Sequence, residues 1–160
     1  MLYALDAAGG TPVWREPFDG GTWFWAGVIS DGVSLYGVTV KGKVVALDPD
    51  TGGKRWETNL NAMVVSTPVF VQKQGEMRLV VVTKKGEIAL LHTSDGQEDG
   101  SRIPIEDEQE GSVKVKAPLG VSASIVYVNT MDKWTTQAVD LAAGGEAFWI
   151  CPPSCGEVGR

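Results

Sequence analysis

The sequence predicts an all-β fold, a β-propeller of four-stranded antiparallel blades of which about 3.5 blades are present. Three observations support this prediction. The 160 residues include 20 Gly, and Trp (6) outnumbers Phe (4), as expected for short strands joined by tight turns. A motif recurs at intervals in the low forties, which is the length of one such blade. No segment of useful length shows the 3.6-residue apolar period of a helix.

The repeated motif consists of an Asp, a Gly four residues later and a Trp eight residues after the Asp. Its first two copies lie 42 residues apart and match closely. A third copy has His92 in place of the Asp, and the fourth carries its Trp one position later. The motif residues in chain order are Asp6, Gly10, Trp14, Asp48, Gly52, Trp56, Gly96, Asp140, Gly144 and Trp149.

Each residue type of the motif has an expected structural role. The Asp ends the third strand of a blade, and its carboxylate can accept backbone N–H bonds across the following turn. The Gly can adopt the left-handed conformation inside that turn. The Trp falls on the outer strand, where its ring can lie over the neighbouring blade and remove about 150–250 Å² from water.

The repeat divides the chain into a half-blade at 1–18, blades at 19–60, 61–105 and 112–150, and a tail at 151–160. Within the blades, the alternation of apolar residues predicts inner strands over 23–29 and 65–72. The longer last period predicts a surface insertion around 97–111. Because closed propellers have four to eight blades, we expect either a fragment of a larger ring or two copies that complete one ring.

Aromatic residues begin the first predicted inner strand. Alternation places Trp23 and Trp25 on one face of that strand and Phe24 on the other. Two interpretations are open for the Trp pair: packing between blades, or a patch that binds a ligand or protein at the rim. Met63 occupies the matching place in the next blade and is expected only to lead into a strand.

Charge and hydropathy exclude several classes of protein. A net charge of −6 and a pI near 4.8 argue against a nucleic-acid partner, which requires a basic surface. The chain has no apolar run of about 18 residues that would span a membrane. Its first residues lack the basic start and apolar stretch of a signal peptide, so we expect a leader or anchor, where there is one, to lie outside this sequence.

The remaining candidate sites have plain structural interpretations. Glu106, Asp107, Glu108 and Glu110 form an acidic run that is expected to be a solvated loop, with a cation or basic-partner site as the alternative. Asp48, Asp50 and Thr51 lack the spacing of a calcium loop. For Cys151 and Cys155, a local disulfide and two free thiols both fit. His92 has no nucleophilic partner at motif spacing, and the sequence predicts no metal site and no catalytic residues.

The motif resembles the repeat of pyrroloquinoline-quinone-like β-propellers, most closely at 46–56 (ALDPDTGGKRW). The resemblance extends from Leu2 to about Ile150. That family includes quinone-dependent dehydrogenases, which hold quinone and calcium on the propeller axis, and noncatalytic propellers such as the outer-membrane assembly lipoprotein. The adjacent cysteines that many of the alcohol-oxidising members carry are missing from this sequence.

From this resemblance we expect a noncatalytic interaction scaffold without a bound cofactor. Its expected partner is a protein, bound through loops and one face of the ring, and its expected location is extracytoplasmic, in the periplasm or at the cell surface. The alternatives are a fragment of a quinone-dependent dehydrogenase and a propeller that binds carbohydrate through Trp23 and Trp25.

Overall fold

A computed structural model describes residues 1–105, 115, 119–130 and 135–144, together with the backbone of 147–151. In this part of the chain there is no helix. Twelve strands form three four-stranded antiparallel sheets, and in each sheet the strands lie side by side in chain order. The first sheet contains β1 (Ile29–Ser30), β2 (Leu35–Val38), β3 (Lys43–Leu47) and β4 (Lys54–Asn59). The second contains β5 (Val69–Lys73), β6 (Glu76–Val82), β7 (Glu87–His92) and β8 (Ile103–Pro104). The third contains β9 (Gly120–Ser122), β10 (Ile125–Asn129), β11 (Thr136–Asp140) and β12 (Ala147–Cys151).

An additional hairpin precedes the first sheet. Leu2 pairs with Phe18 and Leu5 with Pro12, both antiparallel. Asp6 and Trp14 hold the places that Asp48 and Trp56 hold in the first sheet, so the hairpin corresponds to the β3–β4 pair. It is therefore the outer half of a blade, and its inner half is not present in the chain described.

The core lies between sheets rather than inside one layer, because both faces of a buried strand must be covered by neighbours. Val44, Ala46, Leu79 and Val81 are completely or almost completely buried in the cluster between the first and second sheets. A second cluster joins the second and third sheets, and a third joins the hairpin to the first sheet around Trp14. Each sheet thus depends on the next for burial of its apolar side chains.

The inner strands begin later in the structure than the sequence predicts. The segments 23–28 and 65–68 lie outside the ladders, and the strands start at Ile29 and Val69. The amide of Val64 donates to the carbonyl of Val40 rather than to its own sheet. Pro68 cannot donate to a ladder, and the hydroxyl of Ser66 donates to the Val82 carbonyl instead. The Val64 bond thus joins neighbouring sheets, whereas the Ser66 bond stays within the second sheet, and alternation alone reveals neither.

Candidate functional site

Two Trp side chains reach from one blade onto the turn of the next. The indole Nε1 of Trp14 donates to the carbonyl oxygen of Pro49 at 2.8 Å, and that of Trp56 donates to the carbonyl oxygen of Thr93 at 2.9 Å. Both turns follow the third strand of their sheet. Trp14 is 5% exposed, as a large aromatic ring covered on both sides should be. The two contacts repeat the same geometry at successive junctions.

Glycine is required beneath each ring. A Cβ added to Gly52 would lie 2.6 Å from Cδ2 of Trp14, and one added to Gly96 would lie 2.7 Å from Cζ3 of Trp56 and from the Oγ1 of Thr58. Both glycines also have positive φ, +72° and +73°. Gly10 and Gly144 have positive φ as well, but no described atom lies within 4 Å of the Cβ position at either. Among the described residues, the contact between Trp and Gly is thus found where the hairpin meets the first sheet and where the first sheet meets the second.

The motif carboxylates bind the backbone of their own turns. Asp6 accepts from the amides of Ala8 and Gly9, and Asp140 accepts from the Ala142 amide. Asp48 accepts from the amides of Asp50 and Thr51. The Arg55 guanidinium, 2.8 Å away, and then the Thr51 amide and hydroxyl hold the pKa of Asp48 down at about 2. In the third copy, the backbone of His92 makes the same turn, and Asp95 accepts from the Gln97 amide.

A polar network that the sequence did not indicate lies at the junction between the first and second sheets. The Tyr36 hydroxyl donates to Asp31 at 2.8 Å, and Asp31 also accepts from the Val33 and Ser34 amides. Burial raises the pKa of Asp31, but these bonds outweigh it and the net pKa lies below its usual value. Burial, followed by the bond to Asp31, raises the pKa of Tyr36 to about 12. With Arg55 and Trp56, these residues line a cavity of about 230 Å³.

The two ends of the sheets carry different loops. In each sheet, the turn between the first and second strands and the turn between the third and fourth strands lie at one end. This end, called here the Asp face, carries Asp31, Asp48, Asp50, Asp95 and Asp140. The β2–β3 turns lie at the other end together with the connections between sheets. This second end, called here the connection face, comprises 19–25, 40–42, 60–64 and 84–86. Backbone hydrogen bonds join its segments: the Leu60 amide donates to the Gly42 carbonyl, and the Ile105 amide donates to the Gly86 carbonyl.

The predicted Trp patch lies on the connection face. Trp23 is 74% exposed and Trp25 is 67% exposed, whereas Phe24 between them packs against the cluster that contains Trp14. The interpretation of the two Trp side chains as packing between blades is therefore wrong for the chain described, because Phe24 alone takes the inward position. Met63, expected only to lead into a strand, is 49% exposed at the equivalent place before the second sheet.

Backbone hydrogen bonds join the connections to the β2–β3 turns. Val40 accepts from Val64 and donates to the Trp23 carbonyl at 2.8 Å. At the next blade, Lys84 accepts from Val115 and donates to the Met63 carbonyl at 2.7 Å. The backbones that carry Trp23 and Met63 are thus held in the same way in two successive blades.

The remaining candidates are placed as follows. The acidic run Glu106, Asp107, Glu108 and Glu110 lies outside the described residues, as do Cys155 and the side chains of Trp149 and Cys151. Among the residues described, no group of three or more His, Cys, Asp or Glu side chains is arranged to hold a metal ion. The donor set in that part of the chain does not fit a calcium-bound quinone, since the Asp48 carboxylate is already occupied by its turn and by Arg55.

A second cavity of about 380 Å³ opens between the hairpin and the first sheet. It is lined mainly by apolar side chains, including Leu2, Leu5, Ile29 and Leu47. Tyr3 is 66% exposed and Leu5 is 57% exposed along its rim.

The described residues contain no helix that is long and apolar enough to cross a membrane.

Comparisons with solved structures show the fold. BamB from Moraxella catarrhalis matches with a TM-score of 0.67 at 22% identity, over 89% of this chain and 40% of that one. The quinohemoprotein alcohol dehydrogenase from Comamonas testosteroni matches with a TM-score of 0.66 at 18% identity, over 82% and 21%. BBS1N, solved in complex with ARL6DN, matches with a TM-score of 0.67 at 15% identity, over 91% and 45%. The predicted partial propeller is confirmed, and the chain spans less than half the length of each of these structures.

No curated protein matches the chain significantly. A family model does, and it covers residues 1–151, almost the whole sequence. Its description is outer membrane protein assembly factor BamB, and the predicted resemblance to quinone-type propeller repeats is confirmed with it. The three sheets, the forward-reaching Trp side chains and this match agree: the chain belongs to the family of the outer membrane protein assembly factor BamB.

Proposed function

We propose that this propeller segment is a noncatalytic scaffold that binds a protein through the connection face. The observation that carries the proposal is the exposure of Trp23 and Trp25, at 74% and 67%, on a segment whose Trp23 carbonyl accepts a hydrogen bond from the Val40 amide. Large aromatic side chains exposed in pairs are costly in water and are enriched where proteins meet.

The name of the matched family suggests where the partner belongs. Because that name describes an assembly factor of the outer membrane, we infer an extracytoplasmic location and a partner in outer-membrane protein assembly. The same name, that of an assembly factor, supports the proposal of a noncatalytic role. The likeness to a quinohemoprotein dehydrogenase leaves a dehydrogenase fragment as the alternative.

The half-blade favours a larger ring in one polypeptide over a pair of identical chains. The hairpin at residues 2–18 supplies the outer two strands of a blade, and each complete sheet already contains its own four strands. A second copy would bring another outer hairpin but no inner one. We therefore infer that the missing inner strands come from a further part of the same protein.

Site-specific photo-crosslinking in the full-length protein tests the scaffold. A photoreactive residue at position 25 is expected to give a discrete protein adduct in cells, and the same residue at Val33, on the Asp face and 62% exposed, is expected to give none. Equal labelling at both positions would contradict a binding role of the connection face. A rise in melting temperature on adding pyrroloquinoline quinone with calcium would support the dehydrogenase alternative, and adduct formation with glycans only would support the carbohydrate-binding one.

A further inference from the structure

The connection face repeats one pair of side chains in two successive blades. Val40 and Lys84 occupy equivalent positions, because their amides donate to the carbonyls of Trp23 and Met63. The residue after each is an exposed lysine, Lys41 in the first blade and Lys85 in the second. Each blade thus presents one exposed apolar side chain and one exposed ammonium group on backbone segments that are hydrogen-bonded to each other.

These lysines are not neutralised within the described residues. Other lysines of the sheets have partners: Lys43 lies 3.2 Å from Glu57, and Lys73 lies 3.2 Å from Asp99. Over the described part of the chain, no ion pair involves Lys41, Lys84 or Lys85. Their charge is therefore available to a molecule that approaches from outside, where ion pairs add to specificity and association rate.

The described residues of the two ends differ in charge. The Asp face carries the turn carboxylates, and the whole chain has a net charge of −6. On the connection face, the Asp19 carboxylate already accepts from the Gly21 amide. The connection segment 60–64 contains no charged residue. Within its four described segments, the connection face thus carries three lysines, Lys41, Lys84 and Lys85, and one carboxylate, that of Asp19.

The surface is also held in place before anything binds. Trp23, Val40 and Val64 are linked by two backbone bonds, and Met63, Lys84 and Val115 by two more. Val64 and Val115 are 2% and 1% exposed, so the segments are anchored from beneath. An anchored surface loses little conformational entropy on binding, and the small entropy cost favours affinity.

We propose that Trp23, Trp25, Lys41, Met63 and Lys85 form a single docking surface for an acidic protein segment with two apolar side chains, each beside a carboxylate. The proposal rests on the scaffold function and names the chemistry of its partner. A neutral glycan would use the Trp rings but not the lysines. An anionic membrane would attract the lysines but repel the rest of an acidic chain. A segment with paired apolar and acidic side chains uses both features in both blades.

Binding of defined peptides tests this surface. Fluorescein-labelled ten-residue peptides with two Phe-Glu pairs at varied spacing are titrated with the protein and followed by polarisation. We expect at least tenfold weaker binding when both Glu are replaced by Lys or both Phe by Ser. We also expect affinity to fall as salt rises, because exposed charges are screened. Amide shifts in ¹⁵N spectra should centre on Trp23, Val40, Met63 and Lys84.

Matched variants locate the site. Trp23→Ala and the double variant Lys41→Glu with Lys85→Glu should each weaken peptide binding tenfold or more. Val33→Ala and Lys54→Glu, which lie toward the Asp face, should change it less than twofold. All five positions are exposed, and an unchanged ¹⁵N spectrum elsewhere shows that the variants fold.

The outcomes separate this proposal from the scaffold function. Binding that is unaffected by Trp23→Ala and by the lysine reversals, or amide shifts on the Asp face, would overturn the docking surface while a scaffold role survives. Binding of vesicles containing phosphatidylglycerol, or of a glycan panel, with no peptide binding would replace the protein segment by that ligand. If no acidic peptide binds while the crosslink at position 25 still forms, the acidic chemistry is wrong and the scaffold stands.

Discussion

At Gly96 two separate constraints act on a single residue. Its φ of +73° disfavours any side chain, and the Trp56 ring and the Thr58 hydroxyl fill the space where a Cβ would lie. At Gly75, in the β5–β6 turn of the same sheet, φ is +82° but nothing lies within 4 Å of the Cβ position. The sequence marked Gly96 as a turn residue through the repeat, but it carried no signal for the ring above it, because the ring comes from another blade.

Replacing these two glycines separates the constraints. We expect Gly75→Ala to lower the free energy of unfolding by about 1–2 kcal/mol, the cost of a left-handed residue. Gly96→Ala should cost about 1–3 kcal/mol more, because the Trp ring must move. Urea denaturation of the two variants measures the difference. Equal losses would mean that the Trp56 ring adapts without strain.

Tyr36 makes the free energy of unfolding depend on pH in the alkaline range. Its pKa is raised from 10.0 to about 12 in the folded state, so the folded state holds the proton more tightly than the unfolded chain. The stabilisation is fully present below pH 10 and is lost as pH rises from 10 to 12. Tyr36→Phe should therefore flatten the alkaline limb of a stability–pH curve. The exposed Tyr3→Phe is the control, and an unchanged slope for Tyr36→Phe would refute the assignment.

Among the elements, strand order and the outer strands were predictable, but the beginnings of the inner strands were not. The turn at Asp48–Gly53 and the strand that carries Trp56 follow from local residues, namely an Asp, a Gly and a Trp at fixed spacing. The segments 23–28 and 65–68 look like strands because they are apolar, yet they lie outside the ladders, and the Trp23 carbonyl accepts from the Val40 amide instead. The second sheet has no Trp to reach forward, and aliphatic side chains fill its junction with the third sheet instead.

The forward contact of Trp56 is testable at this scale. Trp56→Phe keeps an aromatic ring but removes the indole donor to the Thr93 carbonyl, which then has only the longer contact of 3.3 Å with the Tyr36 hydroxyl. We expect a loss of about 1–3 kcal/mol in the free energy of unfolding. Trp25→Phe, at a position that is 67% exposed, should change it by less than about 0.5 kcal/mol. A similar small effect at both positions, measured by urea denaturation, would show that the bond does not hold the junction.

For the whole molecule, the half-blade is the feature with the widest effect. Leu5, 57% exposed, and Tyr3 line a cavity of about 380 Å³ that no further blade covers among the described residues. An uncovered strand edge with apolar side chains is a template for association. The candidate site was predictable only in part: the Trp pair stood out in the sequence, whereas Lys41, Lys85 and Met63 become a surface only when successive blades align them.

Association through the half-blade follows from this exposure. We expect the chain at tens of micromolar concentration to form dimers and larger species, and Leu5→Lys to shift it toward the monomer because a charge then lies on the open edge. Multi-angle light scattering measures both. Lys54→Leu, which adds an apolar group on the exposed outer strand of the first sheet, is the control for non-specific association. A single monomeric species for the unaltered chain would refute association at this edge and the pairing of two copies.

The direction of the Trp contacts has a consequence for synthesis of the chain. Trp14 meets the carbonyl of Pro49, 35 residues later, and Trp56 meets that of Thr93, 37 residues later. In each case the ring leaves the ribosome before the turn that it will cover. At a synthesis rate of about 5–20 residues per second, the turn that accepts the indole hydrogen bond follows the Trp within seconds. The first and second sheets thus each meet a Trp ring that is already present, so these two junctions can form in the order in which the chain emerges, N-terminus first.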